Sequence, residues 1–204
     1  QFAEKVGCDG VLVVTPYYNK TTQKGLYLHY KTIAESINIP IIIYNVPGRT
    51  KLCVSVDTLE KLAKIDNIVG IKEASGDIAY LSHIAARIKD FAIYSGNDDM
   101  VVPALSVGGL GVISVAANII PKDMHDMCAS YFEGDVKRAA DIQLAALDLI
   151  DKLFIEVNPI PIKSAMNMLG YDVGNLRMPL CDMEEQNEEA LRKSLENYGL
   201  KAVK

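Results

Sequence analysis

From Gly10 the chain reads Gly-Val-Leu-Val-Val-Thr-Pro, an apolar, β-branched run bounded by glycine and proline. A run with no polar face predicts a strand over 10–15 that is buried on both sides, as in a parallel sheet. The pattern then changes period. Leu26, Tyr30, Ile33, Ala34 and Ile37 recur at spacings of three and four behind Thr21 and Thr22, which predicts an amphipathic helix with a threonine cap. Pro40 closes it, and 41–44 (Ile-Ile-Ile-Tyr) is a second buried strand. Asp57 and Glu60 form a candidate capping box for a helix to about Ile65, and a third strand runs over 68–72. Asp77 caps a helix carrying Ile78, Leu81, Ile84 and Ile88. A fourth strand follows over 92–95, then a short helical turn through Leu105 and a fifth strand over 111–115. Beyond Pro121 the pattern is helical: 122–132, 136–154, 162–169 and 184–198.

Regular alternation of buried strands and helices means a parallel sheet with right-handed crossovers, either open and doubly wound or closed as a (β/α)8 barrel. Two features favour the α/β (β/α)8 TIM barrel. Each helix has a single apolar stripe, and Thr15, Tyr44, Lys72, Ser95 and Ser114 all fall at strand ends, where such barrels carry their chemistry. No G-x-G-x-x-G follows the first strand. We assign residues 1–120 to the C-terminal part of a barrel, strands four to eight. Residues 121–204 are the last barrel helix and an added helical layer of the same structural unit.

Half of the residues are apolar, which is enough for one substantial core, and the net charge of −5 comes from scattered groups. The absence of a basic stripe argues against nucleic acid or an anionic membrane as partner, and the apolar runs are too short to span a bilayer. Cys8, Cys53, Cys128 and Cys181 lie far apart without C-x-x-C spacing, so neither a zinc site nor a disulfide framework is expected. A cytoplasmic location follows. His29, His83 and His125 sit on separate helices, and no metal is expected. The glycines of Gly108-Gly109-Leu110-Gly111 precede a strand instead of opening a helix, which suits a turn better than a phosphate cradle.

Lys72 ends an apolar strand, whereas most other lysines lie on polar helix faces. A lysine must lose its proton to attack a carbonyl, and an apolar interior penalises the ammonium, so this position suits a Schiff-base lysine. The alternative is a side chain that reaches out to pair with Glu73 or Asp77. Tyr44 closes the preceding strand and would point into the same mouth, where a phenol can pass protons during carbinolamine formation. By itself such a residue is more often a core tyrosine with a satisfied hydroxyl.

Three stretches make the pattern specific: Thr15-Pro16-Tyr17-Tyr18-Asn19-Lys20, Tyr44-Asn45-Val46-Pro47-Gly48-Arg49-Thr50 and Gly70-Ile71-Lys72-Glu73-Ala74-Ser75-Gly76. They resemble signature segments of the dihydrodipicolinate synthase and N-acetylneuraminate lyase superfamily. The similarity continues through Ser95-Gly96-Asn97-Asp98-Asp99, Gly111-Val112-Ile113-Ser114-Val115, Asn158-Pro159-Ile160-Pro161-Ile162-Lys163 and Leu176-Arg177-Met178-Pro179. The resemblance implies that Lys72 forms the imine with pyruvate, with Tyr44 as its proton shuttle. It implies that Tyr18 completes the relay of a neighbouring subunit and that Arg49 holds the carboxylate of the incoming aldehyde. Gly96 and Ile113 would line the pyruvate end, and Tyr17 would belong to an allosteric lysine site. It also implies a homo-oligomer, a dimer of dimers, and no cofactor, because the covalent Schiff base serves instead.

Arg49 selects within the superfamily. A guanidinium grips a carboxylate through a planar pair of hydrogen bonds, whereas sialic acid lyases generally have an apolar residue at the matching place. The expected reaction is condensation of pyruvate with L-aspartate 4-semialdehyde in lysine biosynthesis. The alternatives are another pyruvate-dependent aldolase, of the 2-keto-3-deoxy sugar acid or sialic acid type, and a catalytically dead partial barrel acting as an interaction subunit. Five strands stand where a closed barrel has eight, so three strand–helix units of ~30 residues each are expected outside this sequence. They would all precede it, since 1–7 reads as the last turns of a helix already under way. The family's Gly-Thr-Thr-Gly-Glu stretch, which the resemblance assigns to pyruvate carboxylate binding, has no counterpart here. The 204 residues alone are therefore expected to be inactive.

Overall fold

The computed structural model describes residues 1–203 and divides them into two compact units, Gln1–Ile113 and the residues from Ser114 onward. The first unit begins with a single helical turn, α1 (Phe2–Lys5), and strand β1 (Val11–Val14). Then come α2 (Gln23–Glu35), β2 (Ile41–Asn45), the turn-length α3 (Pro47–Thr50) and α4 (Val56–Leu62). β3 (Ile68–Glu73), α5 (Ile78–Arg87), β4 (Ala92–Ser95), α6 (Val101–Ser106) and β5 (Gly111–Val112) complete it.

All neighbouring strands are parallel and the sheet order is β1-β2-β3-β4-β5. A sequential order has no point at which the winding reverses, so this is the order of a (β/α)8 barrel and not of a doubly wound sheet. Between the sheet and α2, α4 and α5 lies the core, in which Leu26, Tyr30, Ile43, Leu59, Ile71 and Ile84 are fully buried. Tyr30 reaches through it to donate to the Val13 carbonyl at 3.0 Å, and its burial pushes the phenol's pKa up.

Three expectations change at the ends of elements. β1 is not buried on both faces: Val11 and Val13 pack against the core, whereas Leu12 points to the opposite face of the sheet and is 45% exposed. The fifth strand stops at Val112 instead of Val115. There the Ser114 hydroxyl accepts the Ala117 N–H at 2.8 Å and starts a 3₁₀ turn over Ala116–Asn118. Helix α4 starts two residues earlier than the Asp57 box predicts, since Ser55 Oγ accepts the Thr58 N–H at 3.2 Å. Asp57 and Glu60 both turn to Arg87 instead.

In the second unit, α7 (Pro121–Phe132), α8 (Val136–Leu153), α9 (Ile160–Met168) and α10 (Glu185–Tyr198) pack together. α8 presents Ala139, Ala146, Leu149 and Leu153 to the interior, and α10 presents Leu191 and Leu195. Two hydrogen bonds pin α10: Tyr198 donates to Asp123 at 2.8 Å and Ser194 to Asp148 at 2.6 Å. Among the described residues no helix is long and apolar enough to cross a membrane.

Candidate functional site

The register of the sheet sorts the polar strand-end residues into two rows. Val14, Tyr44, Lys72, Tyr94 and Gly111 lie side by side across the five strands. The next row contains Asn45, Glu73, Ser95 and Val112. Successive residues of a strand point to opposite faces, so the first row shares one face and the second points to the other. Tyr44 and Lys72 are thus brought together, with Tyr94 beside them. Ser95, expected at the same mouth, falls in the other row and is buried. Thr15 is buried as well, and its hydroxyl donates to Thr50 at 3.1 Å.

Lys72 Nζ lies over the Tyr44 ring, 4.4 Å from its centroid. Among the described residues the amine makes no ion pair with Glu73 or Asp77, the partners that a surface-seeking lysine would choose. Burial lowers its pKa, and the negative charge of Asp98 works against that shift. The Tyr44 phenol is shifted up by burial, with the Arg49 guanidinium opposing. Arg49 therefore acts electrostatically on the tyrosine from α3, the turn that follows β2, although its own side chain is exposed.

Gly96 follows β4 and packs against the lysine stem. A Cβ built there would lie 3.0 Å from Lys72 Cε, 2.6 Å from Ala74 Cβ and 3.1 Å from the Glu73 carbonyl oxygen. Ile113 follows β5, held by donation of its N–H to the Ser95 carbonyl at 2.9 Å. Tyr17 and Tyr18 stand apart: they lie in the bend after β1, 69% and 89% exposed, with no hydrogen bond or ring contact to Lys72 or Tyr44 among the described residues.

Backbone pairing continues past the strand ends. Thr15 N–H donates to Tyr44 O at 3.2 Å, Ala74 N–H to Asn45 O at 2.9 Å and Gly96 N–H to Glu73 O at 2.6 Å. With the Ile113 bond, this extension fastens each strand to its neighbour at the edge where the candidate residues sit.

Residues 1–198 match the Dihydrodipicolinate synthetase family. The chain is 60% identical over 200 residues to the 4-hydroxy-tetrahydrodipicolinate synthase of Clostridium novyi (strain NT), covering 98% of this chain and 68% of that protein. The chain belongs to the dihydrodipicolinate synthetase family. Among solved structures, the dihydrodipicolinate synthase from Aquifex aeolicus superposes with a TM-score of 0.97 at 46% identity, covering 99% of this chain and 70% of that one. The enzyme from Cyanidioschyzon merolae with lysine bound gives a TM-score of 0.95 at 40% identity, with 97% and 68% covered.

Within this family member, three groups close to the Lys72 row escape the sequence reading: Tyr94, Asp98 and the Asn45–Glu73 pair. Tyr94 reads as an ordinary strand tyrosine until the register sets it beside Lys72. Asp98 is 1% exposed in the turn after β4 and acts on the lysine by charge. An acidic residue directly after the Ser95-Gly96-Asn97 segment was the available signal for it.

Proposed function

We propose that this chain belongs to an enzyme that condenses pyruvate with L-aspartate 4-semialdehyde to 4-hydroxy-tetrahydrodipicolinate, in the biosynthesis of lysine. Lys72 is its Schiff-base residue. The observation that carries the reading is the seating of the Lys72 amine: at a parallel strand's C-terminal end, half-buried, over the Tyr44 ring and shifted toward its neutral form. A neutral amine attacks the C2 carbonyl of pyruvate, and the resulting carbinolamine expels water to give an imine. Loss of a C3 proton leaves an enamine, whose C3 carbon attacks the aldehyde. The protonated imine nitrogen is the electron sink, so this chemistry requires no cofactor.

Each proton moved needs a carrier, and Tyr44 is the phenol beside the amine. Arg49 stands on the turn after β2, where its planar fork suits the aldehyde substrate's carboxylate. Gly96 leaves room for the lysine stem, and Ile113 forms an apolar wall at the end of β5. The exposure of Tyr17 and Tyr18 supports a second copy of the chain as their partner, in a homo-oligomer in which Tyr18 completes the neighbour's relay. Tyr17 fits a regulatory lysine site at that contact, in keeping with the relative solved with lysine bound. The four cysteines are free thiols, which suits a reducing cytoplasm.

The test is reductive trapping. Protein containing the whole barrel, treated with pyruvate and borohydride, should carry a reduced pyruvate adduct on Lys72 in peptide mapping, because reduction fixes the lysine that attacked the ketone. Label on another lysine, with Lys72 unmodified, refutes the assignment.

A further inference from the structure

We propose that Glu73 is a positioning residue for the Lys72 chemistry: its carboxylate receives N–H groups from β2 and from the turn after β3, fixing the strand ends that carry Tyr44 and Lys72. The inference rests on the reading of Lys72 as the imine-forming residue. Glu73 adjoins Lys72 in sequence but belongs to the opposite row, and it is only 4% exposed. Burying a carboxyl group away from any cation is unfavourable, and among the described residues Glu73 forms no ion pair. A position that served packing alone would be filled better by an apolar side chain.

Both carboxyl oxygens are in use. Asn45 Nδ2 donates to Oε2 at 2.6 Å, and the Ser75 N–H donates to Oε1 at 2.5 Å. The orientation of the Asn45 amide is set by its other end, where Oδ1 accepts the Val54 N–H at 3.1 Å. Val54 follows the α3 segment that carries Arg49. The result is a directed chain of bonds, Val54 N–H to Asn45, Asn45 to Glu73, with Ser75 N–H also feeding Glu73. It is satisfied only if Glu73 accepts at both oxygens, as the ionised form does. Asn45 is covalently next to Tyr44, and Glu73 is next to Lys72. One carboxylate therefore sets the relative height of the two strand ends and anchors the segment behind Arg49. The Glu73 pKa is raised, chiefly by burial with the Asp77 charge adding to it, while the Ser75 and Asn45 bonds oppose that shift by favouring the charged form.

Three variants, made in protein containing the whole barrel, test this: E73Q, N45D and N45D/E73Q. The readouts are the single-turnover rate of borohydride-trappable pyruvate imine at Lys72 and the melting temperature. E73Q keeps the size but turns one acceptor into a donor that faces another donor, and trapping should slow by roughly 10-fold or more without a matching loss of folded protein. N45D places two carboxylates 2.6 Å apart and should be slowed at least as much. In the double variant the carboxylate at position 45 accepts both Val54 N–H and the new amide at position 73, whose oxygen accepts Ser75 N–H. Each of the three bonds again joins a donor to an acceptor, and the rate should return to within about 3-fold of the unaltered protein.

A parent-like rate for E73Q overturns the inference, as does a double variant slower than both singles. If E73Q does not fold, the double variant decides: a folded protein with near-parent trapping supports the inference, and a folded protein slowed 10-fold overturns it. Failure of the unaltered whole-barrel protein to trap pyruvate at Lys72 overturns the proposed function instead, so the two failures are distinguishable.

Discussion

A lysine amine is a nucleophile only without its proton, and Lys72 is held between two opposing influences. Burial favours the neutral amine, and Asp98 favours the ammonium. Replacing Asp98 by Asn removes the negative charge that stabilises the ammonium, so the Lys72 pKa should fall further. The acid limb of imine formation should then move to lower pH, because the free amine persists further into acid. Trapping rates measured against pH would check this, and a limb that stays in place or moves upward would contradict it. At this scale the sequence was informative where chemistry and position coincide. Lys72 at the end of an apolar strand and Tyr44 at the end of the preceding one were visible as candidates. Tyr94 and Glu73 were not, because the row a strand residue occupies depends on register, which is set by pairing and not by any residue's own type.

Most elements were legible in kind and order; the errors lie at their ends, in the unforeseen turn-length α3 and in the burial of β1. Thr22 and Asp77 cap α2 and α5 as the pattern predicts. Ser55 displaced the expected Asp57 box because a second call on Asp57 and Glu60 existed: Arg87, contributed by α5, to which Asp57 is joined at 2.7 Å. A capping box read from four residues cannot register a partner that arrives from another helix. Asp77 offers the cleaner test. Its Oδ1 accepts the N–H groups of Ala79 at 2.9 Å and Tyr80 at 3.0 Å, which satisfies two donors that the first turn leaves open. Asp77→Ala should lower stability by about 1 kcal/mol in denaturant unfolding. An unchanged midpoint would mean that water replaces the cap without loss.

At the scale of the molecule, the first unit is a five-stranded parallel sheet whose two outer strands, β1 and β5, are each paired on one side among the described residues. An outer strand presents open N–H and C=O groups, and β1 adds Leu12 at 45% exposure. Each such group left unmet in an apolar contact costs on the order of 1–3 kcal/mol. A polypeptide limited to these 204 residues should therefore associate with itself, seen as oligomers or larger species in sedimentation. A monodisperse monomer would contradict the argument. The backbone bonds that run past the strand ends have a consequence in time as well as in space. Loop amides ordinarily exchange with solvent through small local openings. The N–H groups of Ala74 and Gly96 lie outside regular strand pairing, yet each is bonded across to the adjoining strand end. They should exchange with deuterium as slowly as the strand interiors, so that the rim carrying the lysine shares the clock of the core and not that of the loops.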